Sequence, residues 1–315
     1  MQQTTFASLA WVGKKKQTKR EKFLFEMDRV VPWEKLTARI EPHYPKAGNG
    51  RRPIGLERMV RIYFLQQWYG LSDPGMEEAL YDMESVRRFA GIELGEDEIP
   101  DETTILNFRH LLEKHQLTEK LLEEVNGYLS EKKLLLRGGT IVDATLIAAP
   151  SSTKNREKQR DGEMSSTKKG GNYHFGMKVH TGVDSQSGLV HTVKVTTARV
   201  HDKQKMEELL HGEEQAVFGD KGYFSDQDKR TARKKGLFWG VLDKAKSKKT
   251  LSHKQRRRNR RLSSIRAKVE HPFRVVKRQF GYVKTRYRGL KKNAAQLYTL
   301  FALANLYKVR NALLA

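Results

Sequence analysis

Val217-Phe218-Gly219-Asp220-Lys221-Gly222-Tyr223 is a short apolar run that ends abruptly in an acid set between two glycines. Such a run closed by glycine predicts a buried strand followed by a tight turn. Asp220 then falls at the strand's end, on the rim of an open α/β sheet where ligand-binding groups collect. A carboxylate there has two readings. One is local, a helix N-cap or turn former. The other is a metal ligand, and a hard divalent cation takes several oxygen donors. Asp143 and Glu270 are the candidates for that company.

Upstream, Thr140-Ile141-Val142-Asp143-Ala144-Thr145-Leu146-Ile147 is β-branched and apolar, which predicts a strand with an acid in its middle. Burying an unpaired carboxylate is costly or drives it neutral, a conflict that a bound cation removes. Ser151 to Gly171 is rich in Ser, Lys and Gly without periodicity and predicts a mobile loop. Tyr173–Val183 and Leu189–Thr196 alternate apolar and polar around the turn Asp184–Gly188, the pattern of a hairpin. His201-Asp202 opens a helix running to Leu210. After Asp220 come a basic helix, 225–235, and a strand, 237–242. A basic arm from Lys244 to Arg261 leads into a long helix from about Leu262 to Phe280, and a last helix runs from Asn293 to Leu314. This order is that of a ribonuclease-H-like fold, an α/β architecture whose mixed five-stranded sheet is flanked by helices. It sets the first acid on the central strand and the second at its neighbour's end. The third comes from a helix across them. Lys178, His180 and His201 lie in the same region, either near the acids or as structural side chains.

On the third element, Ile265, Val269, Phe273, Val276 and Phe280 form an apolar stripe at helical spacing. Arg266, Glu270 and Lys277 fall within about 40° of one another at 100° per residue, so they share a helix face. An i,i+4 ion pair accounts for Arg266 and Glu270 and leaves Lys277 unexplained. Pro272 cannot donate to Lys268 and predicts a kink.

Charge distribution points to a polyanion partner. The 315 residues carry a formal net charge of +24. From Lys244 to Lys292, ten lysines and ten arginines accompany one acid, Glu270, a net of +19. Residues 63–130 carry a net of −10, from five Lys/Arg and fifteen Asp/Glu. There are no cysteines, which excludes disulfides, zinc–thiolate sites and thiol catalysis. No apolar run reaches the length of a membrane span, and Met1–Val12 lacks a basic segment before its apolar part, so a cytoplasmic location is expected. Residues 1–135 read as a helical domain: a basic patch, Lys14–Arg20, a helix from Trp33, the loop 46–53, then helices 56–69, 74–82, 102–114 and 117–129. Residues 136–315 form the α/β domain. Arg51, Arg52, Arg58 and Arg61 in the first part are candidate nucleic-acid contacts. So are Lys221, Tyr223, Arg256, Arg257, Arg258, Arg260, Arg261, Arg274 and Arg278 in the second.

The three acid-bearing stretches, IVDATLI, VFGDKGY and Arg266-x3-Glu270-x6-Lys277, resemble the signature of the IS5 group of insertion-sequence transposases, within the IS4-type DDE class. The resemblance covers nearly all of the chain, including RRPIGLERMVRIYFLQQWYGLSD near the start. One departure is Ser263, where the group's Tyr-x2-Arg-x3-Glu-x6-Lys pattern has tyrosine. The resemblance implies a DNA transposase that binds terminal inverted repeats, cuts the ends and joins them to target DNA. It also implies two Mg²⁺ ions, with Mn²⁺ as substitute, held by Asp143, Asp220 and Glu270. Arg266 and Lys277 would neutralise phosphate charge. The expected partners are double-stranded DNA and a second copy of the chain on it, no membrane is involved, and the expected place is the cytoplasm with the nucleoid. A ribonuclease-H-like nuclease and a non-catalytic DNA-binding descendant remain open. The intact Arg-Glu-Lys spacing weighs against the first and the presence of all three acids against the second.

Overall fold

The strand bearing Asp143, β1 (Gly139–Ala148), is the centre of the sheet. A computed structural model describes residues 14–48, 52–245 and 249–315. β3 (Asn172–Asp184) lies antiparallel to β1 with Asp143 opposite Thr181, and β4 (Val190–Thr197) lies antiparallel to β3. On the other side β5 (Ala216–Gly219) and then β6 (Phe238–Val241) run parallel to β1. Three antiparallel strands followed by two parallel ones on the far side of the first is the ribonuclease-H-like order. A sixth, short strand, β2 (Ser165–Lys169), pairs with the start of β3 and extends the lane of β4, where the Ser165 hydroxyl donates to Thr197 Oγ1 at 2.9 Å.

Seven helices precede the sheet: α1 (Lys19–Val30), α2 (Trp33–Ile40), α3 (Leu56–Tyr69), α4 (Asp73–Asp82), α5 (Glu84–Ala90), α6 (Glu102–Lys114) and α7 (Leu117–Glu131). Every residue of α3 from Met59 to Trp68 except Arg61 is buried. The last helix, α11 (Leu290–Leu314), packs against α7, α1 and α3 and against β4. Leu297, Leu300, Phe301, Leu303 and Leu306 join one apolar cluster with residues from α1 through β4, so α11 completes the core of the helical region. Asn305 interrupts its apolar run for a reason. Its amide accepts from Val190 N–H at 2.9 Å and donates to Val190 O at 2.7 Å and Asn126 Oδ1 at 2.9 Å, tying β4 to α7. A buried amide is tolerated when its hydrogen bonds are made in this way. None of the helices is long and apolar enough to cross a membrane, among the described residues.

Four sequence expectations are corrected. The basic patch near Lys14 leads directly into α1, started by a capping box between Thr18 and Glu21 that satisfies two backbone donors. The segment 151–171 is held rather than mobile: Asp161 and Glu163 accept from the N–H groups of Gly289 and Leu290 at 2.7 Å each, at the start of α11, and β2 forms within it. Carboxylates suit that place because a helix start leaves N–H groups unpaired. The helix expected at 201–210 is two 3₁₀ turns, Asp202–Lys205 and Glu207–Leu209. The basic arm turns into helix at His253. After α8 (Asp226–Lys234), α9 (His253–Arg266) starts at a capping box between Ser252 and Gln255.

Candidate active site

Asp143 sits where β1 runs on past the end of β5, whose pairing with β1 stops at Val142 and Gly219. Its carboxyl is largely buried. Oδ1 accepts from the Ala144 N–H at 2.8 Å, and Oδ2 from Arg266 Nη1 at 3.0 Å. Burial pushes the acid up to about 6. The Ala144 N–H and Arg266 oppose that, and the nearby Asp220 and Asp202 add to it.

Asp220 follows the last residue of β5 and starts a 3₁₀ turn, Lys221–Tyr223. Its Oδ1 accepts from the Gly222 N–H at 2.7 Å. A Cβ on Gly222 would stand 2.9 Å from that oxygen, which explains the second glycine of the motif. The local reading of Asp220 as a cap is therefore realised, and the same side chain stands on the rim beside Asp143. Tyr223 turns inward. It is fully buried, so it is not the exposed DNA contact expected from sequence, and its hydroxyl has no hydrogen-bond partner among the described residues. Burial pushes this phenol far up, and Asp202, Asp143 and Asp220 all add to the effect.

Glu270 begins a broken helical segment. After α9, a 3₁₀ turn (Ala267–Val269), α10 (Glu270–Arg274) and a π turn (Val275–Gln279) follow without a gap, with Pro272 at the irregularity as its missing N–H demands. The Glu270 side chain is 66% exposed and accepts from Arg266 Nη2 at 3.2 Å. One guanidinium thus bridges Asp143 and Glu270. Lys277 shares that helix face but reaches the strand, donating to Thr145 Oγ1 at 2.6 Å and Leu146 O at 2.9 Å. Burial, then Lys169, lowers its ammonium from the ordinary lysine value.

The donor set, carboxylate oxygens around a largely buried acid that lacks full charge compensation, suits a hard divalent cation. In this arrangement no three acids or histidines among the described residues stand close enough together to hold an ion, and Glu270 faces Arg266 and solvent. Lys178 donates to Val200 O at 2.7 Å and pairs with Asp202 at 2.9 Å. His180 is buried against Thr196 Oγ1 at 2.9 Å, and burial pushes it down to about 4, so it is a neutral structural residue. The His201 ring nitrogen accepts from the Lys203 N–H. Asp202 was not expected at the site. An acid directly after the last antiparallel strand was the available signal, and it was absorbed into a helix start.

The cationic candidates divide. Arg51 lies outside the described residues, and Arg52 is exposed. Arg58 is tied to Gly91 O and Asp97, and Arg61 to Asp28, Glu57 and Phe89 O over the Trp33 ring, so both are spent inside the helical region. Arg258 holds the end of β6 through Val241 O, Trp239 O and Asp243, a buried carboxylate shared with Lys229. Lys221, Arg256, Arg257, Arg260, Arg261, Arg274 and Arg278 are exposed. Arg274 and Arg278 line a cleft with Glu270, His271 and Lys277.

Residues 135–306 match the family model of the transposase DDE domain, and residues 12–111 match that of the transposase domain DUF772. Among solved structures, the crystal structure of the Mos1 strand transfer complex aligns with 78% of this chain and 82% of its own, at 11% identity and a TM-score of 0.20. With a family match over more than half its length, lying across the strands and helices that carry Asp143, Asp220 and Glu270, the chain belongs to the DDE transposases.

Proposed function

We propose that this transposase serves an insertion sequence of the IS5 group, binds its terminal inverted repeats as a dimer, and cuts and joins DNA at Asp143, Asp220 and Glu270. The observation that carries this assignment of the site is the Arg266 bridge: one guanidinium, 123 residues along from Asp143, joins that mid-strand acid to the helix acid Glu270, near the rim acid Asp220. Divalent metal ions, which DDE transposases use, polarise the scissile phosphate and activate the attacking oxygen when bound, with Mg²⁺ as the expected ion and two as the expected number. Asp143 and Asp220 would hold one site and Asp143 with Glu270 the other.

The chain's own groups support that chemistry. Arg266 compensates Asp143 while no cation is present. Once a cation takes over, its guanidinium is free to hold a phosphate oxygen, which its planar fork suits. Lys277 fixes the distance between the Glu270 segment and β1. Lys221, Arg274 and Arg278 flank the acids and hold the DNA backbone.

The test is cleavage of a plasmid carrying the coding segment with both flanks. Asp143→Asn, Asp220→Asn and Glu270→Gln should each abolish Mg²⁺-dependent cutting while DNA affinity stays within a few fold. Wild-type cutting by Asp220→Asn would remove Asp220 from the site.

A further inference from the structure

β3 runs on beyond the body of the sheet. Its first residues, Asn172 to Gly176, pair with β2, and the two-residue turn between the strands is Gly170-Gly171, with φ of 58° and 87°. Two positive φ values in sequence match the twist of a tight two-residue hairpin. Lys168, Lys169, Asn172, Tyr173 and His174 at its tip are all exposed. Tyr173, 78% exposed, contributes little to any core.

Alternation along the strands fixes which way the ribbon looks. Asp143, Thr145 and Ile147 share one face of β1, and their partners Thr181, Val179 and Met177 share it on β3. Two more steps of the same alternation reach Phe175 and Tyr173. Each ring has a cation against it: the Arg160 guanidinium 5.4 Å from the Phe175 centroid, and Lys168 Nζ 5.5 Å from that of Tyr173. Between Asp143 and the ribbon that face is core, with Ile147, Met177, Val179 and Thr181 all buried, and it comes to the surface only at the ribbon, as rings and cations. From Thr181 to Tyr173 the strand covers about 26 Å at roughly 3.3 Å per residue.

A two-stranded ribbon has the width to enter the major groove of DNA, and lysine and asparagine are side chains that hydrogen-bond base edges there. Resting on the placement of the scissile phosphate at Asp143, we infer that the β2–β3 ribbon enters the major groove of the bound duplex to one side of the cut. Lys168 and Lys169 contact phosphate or guanine, Asn172 contacts a base edge, and Tyr173 packs on the groove wall. The ribbon is then an end-recognition element within the catalytic region, apart from the helical region that precedes it.

Binding without divalent metal tests this independently of catalysis. The probe is a duplex oligonucleotide taken from the flank of the coding segment, titrated at several salt concentrations. Lys168→Gln/Lys169→Gln/Asn172→Ala should bind about tenfold or more weakly and lower the salt slope by about two units, near 0.9 per phosphate contact. Lys132→Gln/Lys133→Gln, equal in charge change and remote from the ribbon, should bind as wild type does. All these side chains are exposed, so melting temperatures should match. The chain has no cysteine, so Tyr173→Cys gives a unique thiol for a chemical nuclease, which should cut the bound duplex at one place in each end. Wild-type affinity in the triple variant, or an equal loss on the single-stranded oligonucleotide, overturns the groove assignment. Asp143→Asn distinguishes the two claims. If it still cuts DNA, the placement of the active site fails while the ribbon's affinity loss stands.

Discussion

Asp143→Asn should make the protein more stable at neutral pH, although it removes an ion pair. The Asp143 carboxyl titrates at about 6 in the fold, against 3.8 for the ordinary side chain. The folded chain therefore holds a proton in a range where the unfolded chain has lost it. Stability falls as pH rises through that window, and the loss is complete above the folded value. At about 1.4 kcal/mol per pKa unit, the ionised acid costs the fold about 3 kcal/mol above neutral pH. An amide keeps the hydrogen bond from Ala144 N–H and carries no charge to desolvate. Arg266 loses a partner but keeps Glu270 and partial access to water, which trims the gain to about 2 kcal/mol. For a chain of this length that is about 3 °C in melting temperature. Denaturant midpoints measured with a chelator at about pH 3 and pH 7.5 are the assay, with equal stability expected at the lower pH and a more stable variant at the higher. Saturating Mg²⁺ should then raise wild type and leave the variant nearly unmoved, because a ligand stabilises only the state that binds it. A variant no more stable than wild type at neutral pH would refute the reasoning. An advantage that survives acidification would show that packing, not ionisation, is its source.

Arg258→Gln should cost about 2 kcal/mol, because it strips a partner from buried Asp243 and two strand-end carbonyls, whereas Arg257→Gln should cost almost nothing; equal denaturation midpoints would contradict this. Replacing Arg256, Arg257, Arg260 and Arg261 together by Gln should lower the salt slope of DNA binding by about three to four units if all four meet phosphate, equally on repeat and random duplex, and an unchanged slope would remove α9 from the DNA path. Asn305→Leu should cost about 2–4 kcal/mol by orphaning Val190 N–H and C=O at the junction of α7, β4 and α11, and a neutral result by thermal melting would mean that water replaces the amide there.

Much of this protein is legible in one dimension, because the deciding signals are local. β-branched runs broken by Asp143 and closed by Gly219-Asp220 announce strands and their ends, and the order of strands leaves few sheets that can be built. The lone acid in a basic segment, with arginine four residues before it, marks a helix face. The arrangement of charges in space was not legible, because ion pairing depends on which elements meet. Arg58, Arg61 and Arg258 look like free cations until the fold sets Asp97, Asp28 and Asp243 beside them. Tyr223 looks like a surface contact until the turn after Asp220 rolls it under the sheet. Asp202 joins the acids only because a strand end and a 3₁₀ turn pack together, 59 residues along from Asp143. The helical region likewise obtains part of its core from α11 at the far end of the chain, since an apolar face says that it must be covered and not by what. The sequence alone determined the order of the five main strands and where the three candidate acids fall along it. Tertiary packing decided which charges are neutralised within the protein and which stay exposed.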